Sequence, residues 1–443
     1  MSKSSRQLAF EALMRVENEQ AYSNITLNVV LSENRADMRD KAFTSVLFYG
    51  VLEKKLLLDY NLSRFSEKPI NKLDKEMLVI LRMGLYQLFF MDSVPHSAAV
   101  NESVKLCKEN NLYNASGYAN GVLRCASRSD GLSLPNRRKG KNKYLSIKYS
   151  CPENIIKLWR DSYGDDITEG ILSSLEGRPP IAARVNTLKT DSDKLILSLR
   201  SRHIKSEASG IIDDCIMLKE TGSIENIGQY SEGLFHVQDP ASQLCCRLLG
   251  AKPGNTVIDA CSAPGGKAFT IAQYMGNIGN IISCDMYENR LRLVRQGAER
   301  LGIDIIRTVA ADSSTYNDFP IADRVLCDVP CSGLGIIRRK PELRYKNDLG
   351  LDSLPDLQYL ILCNCACFVK RGGILIYSTC TLNPAENGMN IRKFLKDHDE
   401  FEPYALAVPD GIARGIDEPD NELTLFPHIN GTDGFFIGAV KRK

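Results

Sequence analysis

Two cysteines stand in surroundings that suit covalent chemistry. Cys331 closes the run Asp328-Val329-Pro330-Cys331, and Cys380 lies in Ser378-Thr379-Cys380-Thr381; each follows an apolar stretch, RVLC and GGILIY, that reads as a strand. Both thiols are therefore expected to emerge at one edge of a sheet. A thiolate adding to carbon 6 of a cytosine turns carbon 5, a poor nucleophile, into an enamine that attacks an electrophilic methyl group. The adduct must then lose its carbon 5 proton and expel the thiol, a step helped by a basic group or a second thiol. Free thiols titrate near 8.5, so the nucleophile needs electropositive help, expected from helix N-termini and Lys267. Asp328 is placed to hydrogen-bond the N3 and amino edge of such a base, and when protonated it favours attack at carbon 6. Among the fourteen cysteines the usual fate is a small buried hydrophobe, the reading given to Cys284 and Cys327 inside strands.

A second cluster points to a nucleotide. DACSAPGGK, Asp259 to Lys267, follows the apolar strand TVID at the place where doubly wound sheets bind ligands, the loop entering a helix. It is not a phosphate-binding P-loop, because Cys261 replaces the first glycine and Ala268 the magnesium-binding hydroxyl, and it lacks the G-x-G-x-x-G dinucleotide pattern. Gly265 and Gly266 still permit close backbone approach, as an amino acid carboxylate requires. The candidate ligand segment is Cys261, Ser262, Ala263, Pro264, Gly265, Gly266 and Lys267. Asp285, Asp312 and Asp328 end the next three strands; the first suits a ribose diol and the second an adenine amine. Together they describe an adenosyl ligand, with an NAD enzyme the alternative on pattern alone.

These residues need a scaffold, and the rhythm after Asp239 supplies it. Strands TVIDA, IISCD, RTVAAD, RVLCDVP, GGILIYSTC and FFIGAVKRK alternate with helices near Lys267, Leu291 to Leu301 and Leu357 to Val369. This is the signature of an α/β Rossmann-like domain with a doubly wound sheet, assigned to 239–443. The first 128 residues are helical in period, as in Leu78, Leu81, Leu85, Leu88 and Phe89, and predict an all-α bundle. Residues 129–143, rich in Ser, Gly, Pro and basic side chains, read as a basic linker. A small mixed α/β region is assigned to 144–238, with a helix in NIIKLWRDSYG and strands in RPPIAARVN and near Cys215 to Leu218.

Bulk properties narrow the classes further. At 443 residues and 43% apolar, the chain has material for several cores. A net charge of +2 drives no global attraction to nucleic acid, so such affinity must be local. The N-terminus MSKSSRQLAFEALMRV lacks the apolar segment of a secretory signal and no apolar run is long enough to span a membrane, so a cytoplasmic protein with reduced thiols and no membrane partner is expected. The five histidines are scattered and Cys363, Cys365 and Cys367 diverge on a helix, so no metal is expected.

DACSAPGGK, DVPCSGLG and YSTCTLNPAEN resemble the motifs of the RNA cytosine-5 methyltransferase family, a similarity that runs from Tyr144 to the C-terminus and includes FHVQDPASQ from Phe235 to Gln243. The resemblance implies that Cys380, matching the T-C cysteine, is the nucleophile, and that Cys331, matching the P-C cysteine, assists product release. It also implies S-adenosyl-L-methionine as cofactor, held by Cys261 to Lys267 and by Asp285, Asp312 and Asp328, with Asp328 and Lys267 in the catalytic group. Val329, where the family commonly has Ala or another small residue, is a mild departure. LRMGLYQLFFMDSVPHSAAVNESVKLCK and SGYANGVLR are similar to the helical NusB-type RNA-binding domain. That combination resembles the bacterial Sun/Fmu (RsmB) family and implies methylation of one cytosine of 16S ribosomal RNA; a monomeric enzyme is expected. Arg338, Arg339 and Lys340 are candidates for phosphate contact. Methylation of transfer RNA or another ribosomal site, and a non-catalytic RNA-binding assembly factor, are the alternatives.

Overall fold

The computed structural model describes residues 3–19, 21–34, 37–177, 179–219, 221–346, 348–415 and 417–443. Two compact units divide the chain: Met1–Glu176 with Ile337–Asn347, and Gly177–Ile336 with Asp348–Lys443.

The first unit is helical: α1 (Ser5–Glu19), α2 (Ser23–Glu33), α3 (Met38–Glu53), α4 (Lys55–Phe65), α5 (Lys75–Phe90), α6 (His96–Glu109), α7 (Ser116–Ser127), α8 (Lys141–Tyr149) and α9 (Glu153–Ser173). The periodic leucines expected of α5 do pack inward: Leu81 and Leu85 are fully buried in one core with Leu13, Phe48, Leu58 and Leu123. Arg82 on the same helix is buried as well, and it is kept charged by a forked pair of bonds to Asp59 (2.7 and 2.8 Å) and one to Glu17 (2.8 Å). The stretch read as a linker runs inside this unit. Asn61 holds the Ser133 backbone from both sides, Arg137 pairs with Glu169 at 2.8 Å, and Lys141 already begins α8. Arg137 and Lys141 are thus engaged by Asp165 and Glu169 of α9, which the local composition did not reveal.

The second unit opens with β1 (Ile181–Val185), α10 (Ser192–Ser201), β2 (Lys205–Ala208), β3 (Cys215–Lys219), α11 (Gly228–Ser231) and β4 (Phe235–Val237). The strands form an antiparallel sheet in the order β2-β3-β1-β4. β1 and β3 fall where the sequence placed strands, although Arg178, which begins RPPIAARVN, lies outside the described residues. β4 falls in the FHVQDPASQ motif, too short to show a period.

There follow α12 (Pro240–Leu249), β5 (Thr256–Asp259), α13 (Gly266–Tyr274), β6 (Asn280–Asp285), α14 (Glu288–Leu301), β7 (Ile306–Ala310), β8 (Ala322–Asp328), α15 (Leu354–Ala366), β9 (Val369–Thr379), α16 (Gly388–Asp397), β10 (Phe401–Pro403), β11 (Glu422–Leu425), α17 (Pro427–Asn430) and β12 (Phe435–Arg442). The sheet order is β10-β12-β9-β8-β5-β6-β7, with β11 also on β12. β5 to β9 run parallel and β12 returns antiparallel beside β9. Their near-continuous apolar runs fit a sheet covered on both faces: Ile258, Cys284, Val325 and Leu375 belong to one core, Val257, Ile281, Leu326 and Ile376 to the other. The chain winds outward from β5 in both directions, so the order switches between β5 and β8, the crevice where such sheets take ligands. Val369, expected as the end of a helix, starts β9 instead.

Candidate active site

The loop after β5 is held by backbone hydrogen bonds, one of them to β6. Ser262 donates its amide to the Cys284 carbonyl (2.8 Å), Gly265 turns back onto the Ser262 carbonyl (2.7 Å), and α13 starts at once. Gly265 has φ +107°, and a Cβ there would stand 2.5 Å from the Phe269 ring, so only glycine fits both the turn and the packing beneath it. The loop and the end of β6 are tied by a residue that sequence reasoning did not single out. Arg290 pairs with the buried Asp285 carboxylate at 2.9 Å and donates to the Ala263 carbonyl, also at 2.9 Å. Asp312 lies two residues beyond β7, with one carboxylate oxygen taken by the Ser314 amide and hydroxyl. Cys284 and Cys327 are buried within their strands.

Asp259 is a second residue that sequence reasoning passed over. It ends β5, is fully buried, and both its carboxylate oxygens lack a partner among the described residues, as does the Ser262 hydroxyl. Burial pushes its carboxyl up to about 7. An acid closing an otherwise apolar strand was the one signal available for it. Unpaired acceptors beside a glycine turn and a helix N-terminus fit an adenosyl amino acid, which brings an ammonium group, a carboxylate and a diol.

The motif ahead of α12 supports this loop from below. Asp239 caps α12 through the Ala241 amide (2.9 Å), and Gln238 accepts a hydrogen bond from Thr270 of α13 (2.6 Å). His236 meets the same hydroxyl at 3.3 Å, and burial, then Arg184 and Arg300, hold its pKa at about 3, a neutral imidazole.

The other half of the site hangs from β8 and β9. Asp328 and Ser378 are register partners, and the Ser378 hydroxyl donates to Asp328 at 2.8 Å. Lys267, from the first turn of α13, reaches the other Asp328 oxygen at 2.6 Å and lies over the Phe435 ring. Burial alone would lower the Lys267 ammonium, but the Asp328 charge and the neighbouring Cys245 outweigh it and raise it on balance. Its positive charge is thereby directed at Asp328, where the sequence reading had offered it to a thiolate. Three residues beyond Asp328 and one beyond β9, the two thiols meet: Cys331 Sγ and Cys380 Sγ are 3.0 Å apart. Contact with Cys380, burial and the Glu386 carboxylate push the Cys331 thiol well up, so it favours the protonated, donating form. Arg338, Arg339 and Lys340, the candidates for phosphate contact, fall within the helical unit, where Lys340 lies over the Tyr22 ring.

A domain with this wound sheet, glycine turn and acidic strand ends has the architecture of a nucleotide-binding enzyme. Comparison with known proteins makes that specific. A family model described as 16S rRNA methyltransferase RsmB/F matches residues 246–441, a NusB family model matches 3–128, and an RsmF/B-like ferredoxin-like domain matches 151–225. Over the full length of both chains the sequence is 35% identical to the probable ribosomal RNA small subunit methyltransferase B of Bacillus subtilis (strain 168). It is 30% identical to ribosomal RNA small subunit methyltransferase B of Shewanella oneidensis, over 98% of each chain. Among solved structures, a methyltransferase homologue from Pyrococcus horikoshii superposes with a TM-score of 0.61 at 27% identity, covering 69% of this chain and 99% of that one. The chain belongs to the RsmB/F family of 16S rRNA methyltransferases, with a NusB-type helical domain at its N-terminus.

Proposed function

We propose that this enzyme transfers the methyl group of S-adenosyl-L-methionine to carbon 5 of a cytosine in 16S ribosomal RNA, with Cys380 as nucleophile. The observation that carries the reading is the 3.0 Å approach of Cys331 to Cys380 at the sheet edge that also bears the Lys267–Asp328 pair. The cofactor would be held by Cys261 to Lys267, by Asp285 and Asp312, and by Asp328 at the edge of the crevice, with Asp259 added by its unpaired carboxylate. When bound, it supplies an electrophilic methyl group.

The residues of this chain do the rest. The Cys380 thiolate forms a bond to carbon 6, and the displaced π pair makes carbon 5 nucleophilic while N3 takes a proton from the Lys267–Asp328 pair. After methylation N3 returns its proton to that pair, and the carbon 5 proton leaves to water. The carbon–sulfur pair goes back to Cys380 as its bond breaks, and the Cys331 thiol donates a hydrogen bond to the departing sulfur. The target base must be unpaired or flipped out, at a cost of a few kcal/mol if it begins stacked. The NusB-type domain holds the surrounding RNA, and the cytoplasmic, monomeric state expected from the sequence belongs to the same reading.

The test incubates purified protein with labelled S-adenosylmethionine and unmethylated 16S RNA. Label on cytosine carbon 5 is expected for the wild type and none for Cys380→Ala, with a covalent protein–RNA adduct accumulating in Cys331→Ala. Label on transfer RNA alone would overturn the substrate and keep the chemistry; full activity in Cys380→Ala would overturn the assignment of the nucleophile.

A further inference from the structure

Next to the thiols lies a buried carboxylate that the mechanism above does not use. Glu386, in YSTCTLNPAEN, is fully buried, yet no cation faces its carboxylate among the described hydrogen bonds and ion pairs. Four neutral donors surround it instead. Oε1 accepts from the Ser332 hydroxyl (2.6 Å) and the Asn383 amide (3.0 Å). Oε2 accepts from the Ser332 backbone N–H (2.9 Å) and the Gln358 amide (2.9 Å). Burying a charge is costly, and only such saturation makes it tolerable.

What these donors have in common is the thiol loops. Ser332 follows Cys331, and the Gln358 amide that meets Glu386 also donates to the carbonyl of Pro330, the residue before Cys331, at 2.9 Å. Both peptide neighbours of Cys331 are therefore held by one hub. The Ser332 hydroxyl also meets the Thr381 hydroxyl at 2.7 Å, directly after Cys380, and Asn387 donates to the Thr381 carbonyl at 3.0 Å. A single carboxylate thus couples the loop after β8 to the loop after β9.

We propose that Glu386 is a positioning residue for product release: it holds Cys331 against the sulfur of Cys380 so that the enzyme–RNA bond can break. The inference rests on the assignment of Cys380 and Cys331 made above. Without the hub, Cys380 still adds to carbon 6 and methylation proceeds. The carbon–sulfur bond then breaks slowly, because its electron pair returns to a sulfur that no longer receives the Cys331 hydrogen bond. The negative charge of Glu386 also favours the protonated form of Cys331, in line with a donating role.

The test uses the full chain with unmethylated 16S RNA and S-adenosylmethionine, and reads multiple-turnover rate, covalent adduct on a denaturing gel and thermal midpoint. The variants are Glu386→Ala, Glu386→Gln and the smaller change Ser332→Ala, beside Cys331→Ala. Turnover is expected to fall about 10- to 100-fold in Glu386→Ala, as for a misplaced catalytic group. Adduct should accumulate in it and in Ser332→Ala, less so in Glu386→Gln, and should vanish when Cys380→Ala is added. Adduct in Cys331→Ala but none in folded Ser332→Ala and Glu386→Gln would overturn the inference alone. No adduct in Cys331→Ala would overturn the cysteine assignment and the inference with it.

Discussion

At the scale of single residues, burial and contact with neighbouring charged or polar groups set the charge states around the site. His236 illustrates this and gives a pH prediction. Its folded pKa of about 3 lies below the roughly 6.5 of a free imidazole, because burial and two nearby guanidinium groups oppose a positive charge. Between those values the unfolded chain binds a proton that the folded chain refuses, so stability is full above about pH 6.5 and falls as pH drops through that window. The loss across the whole window is on the order of 5 kcal/mol. Thermal midpoints measured from pH 7 to pH 4 should fall more steeply for the wild type than for His236→Gln; parallel curves would show that His236 is accessible to protons in the fold. Cys380→Ala and Cys331→Ala belong to this scale as well, since each changes one atom at the point of contact.

At the scale of elements, the thiols meet because three loops interlock. Gly335, beyond the Cys331 loop, donates its amide to the Cys380 carbonyl at 3.0 Å and accepts from the Gly434 amide, just before β12, at 2.9 Å. A Cβ at Gly335 would stand 2.0 Å from the Gly434 carbonyl oxygen and 2.8 Å from that of Cys380, both rigid backbone. Gly335→Ala is therefore expected to displace the Cys380 loop and lower kcat by at least about tenfold, since small misplacements of reacting groups are costly. Gly117→Ala on α7 is the matching control: its Cβ would meet nothing within 4 Å, and it should be neutral or stabilising by about 0.5–1 kcal/mol. Equal activity of the two variants would show that the three loops tolerate separation.

At the scale of the whole molecule, the chain passes from the catalytic unit into the helical unit and back. Ile337–Asn347 belongs with the N-terminal helices, although it follows the Cys331 loop directly. Arg344, buried at 3% exposure, donates to the Tyr149 and Ser150 carbonyls at 3.1 and 3.3 Å, and Tyr345 donates to Ser150 at 2.7 Å. Glu342 accepts from the Ser23 amide in the first turn of α2 at 3.0 Å. Truncating Arg344 removes the donor to the Tyr149 and Ile337 carbonyls, while Ser150 keeps Tyr345, so Arg344→Ala should destabilise the helical unit by about 2–4 kcal/mol. Calorimetry of the full chain checks this through a lower midpoint; an unchanged one would mean that the segment is dispensable to that unit. For the same reason a fragment ending at Glu176 should be less stable than one supplied with the 337–346 segment.

Local pattern and residue type carry those parts of the fold that neighbours along the chain specify. Strand–helix alternation after Asp239 specifies the wound sheet, because buried parallel strands need long apolar runs, and DACSAPGGK, DVPC and STC fall at its strand ends for that reason. The period of α5 specifies the helical bundle in the same way. Decisions that depend on partners distant in sequence came only with the tertiary structure. The direction of β12 depends on pairing with β9, and the fate of Arg137 and Lys141 on the acidic face of α9. The pairing of Lys267 with Asp328 spans 61 residues, and the saturation of Glu386 draws donors from 332, 358 and 383. A short motif shows which side chains are present; which charge is neutralised, and which carboxylate stays unpaired as in Asp259, is settled by what the fold packs against it.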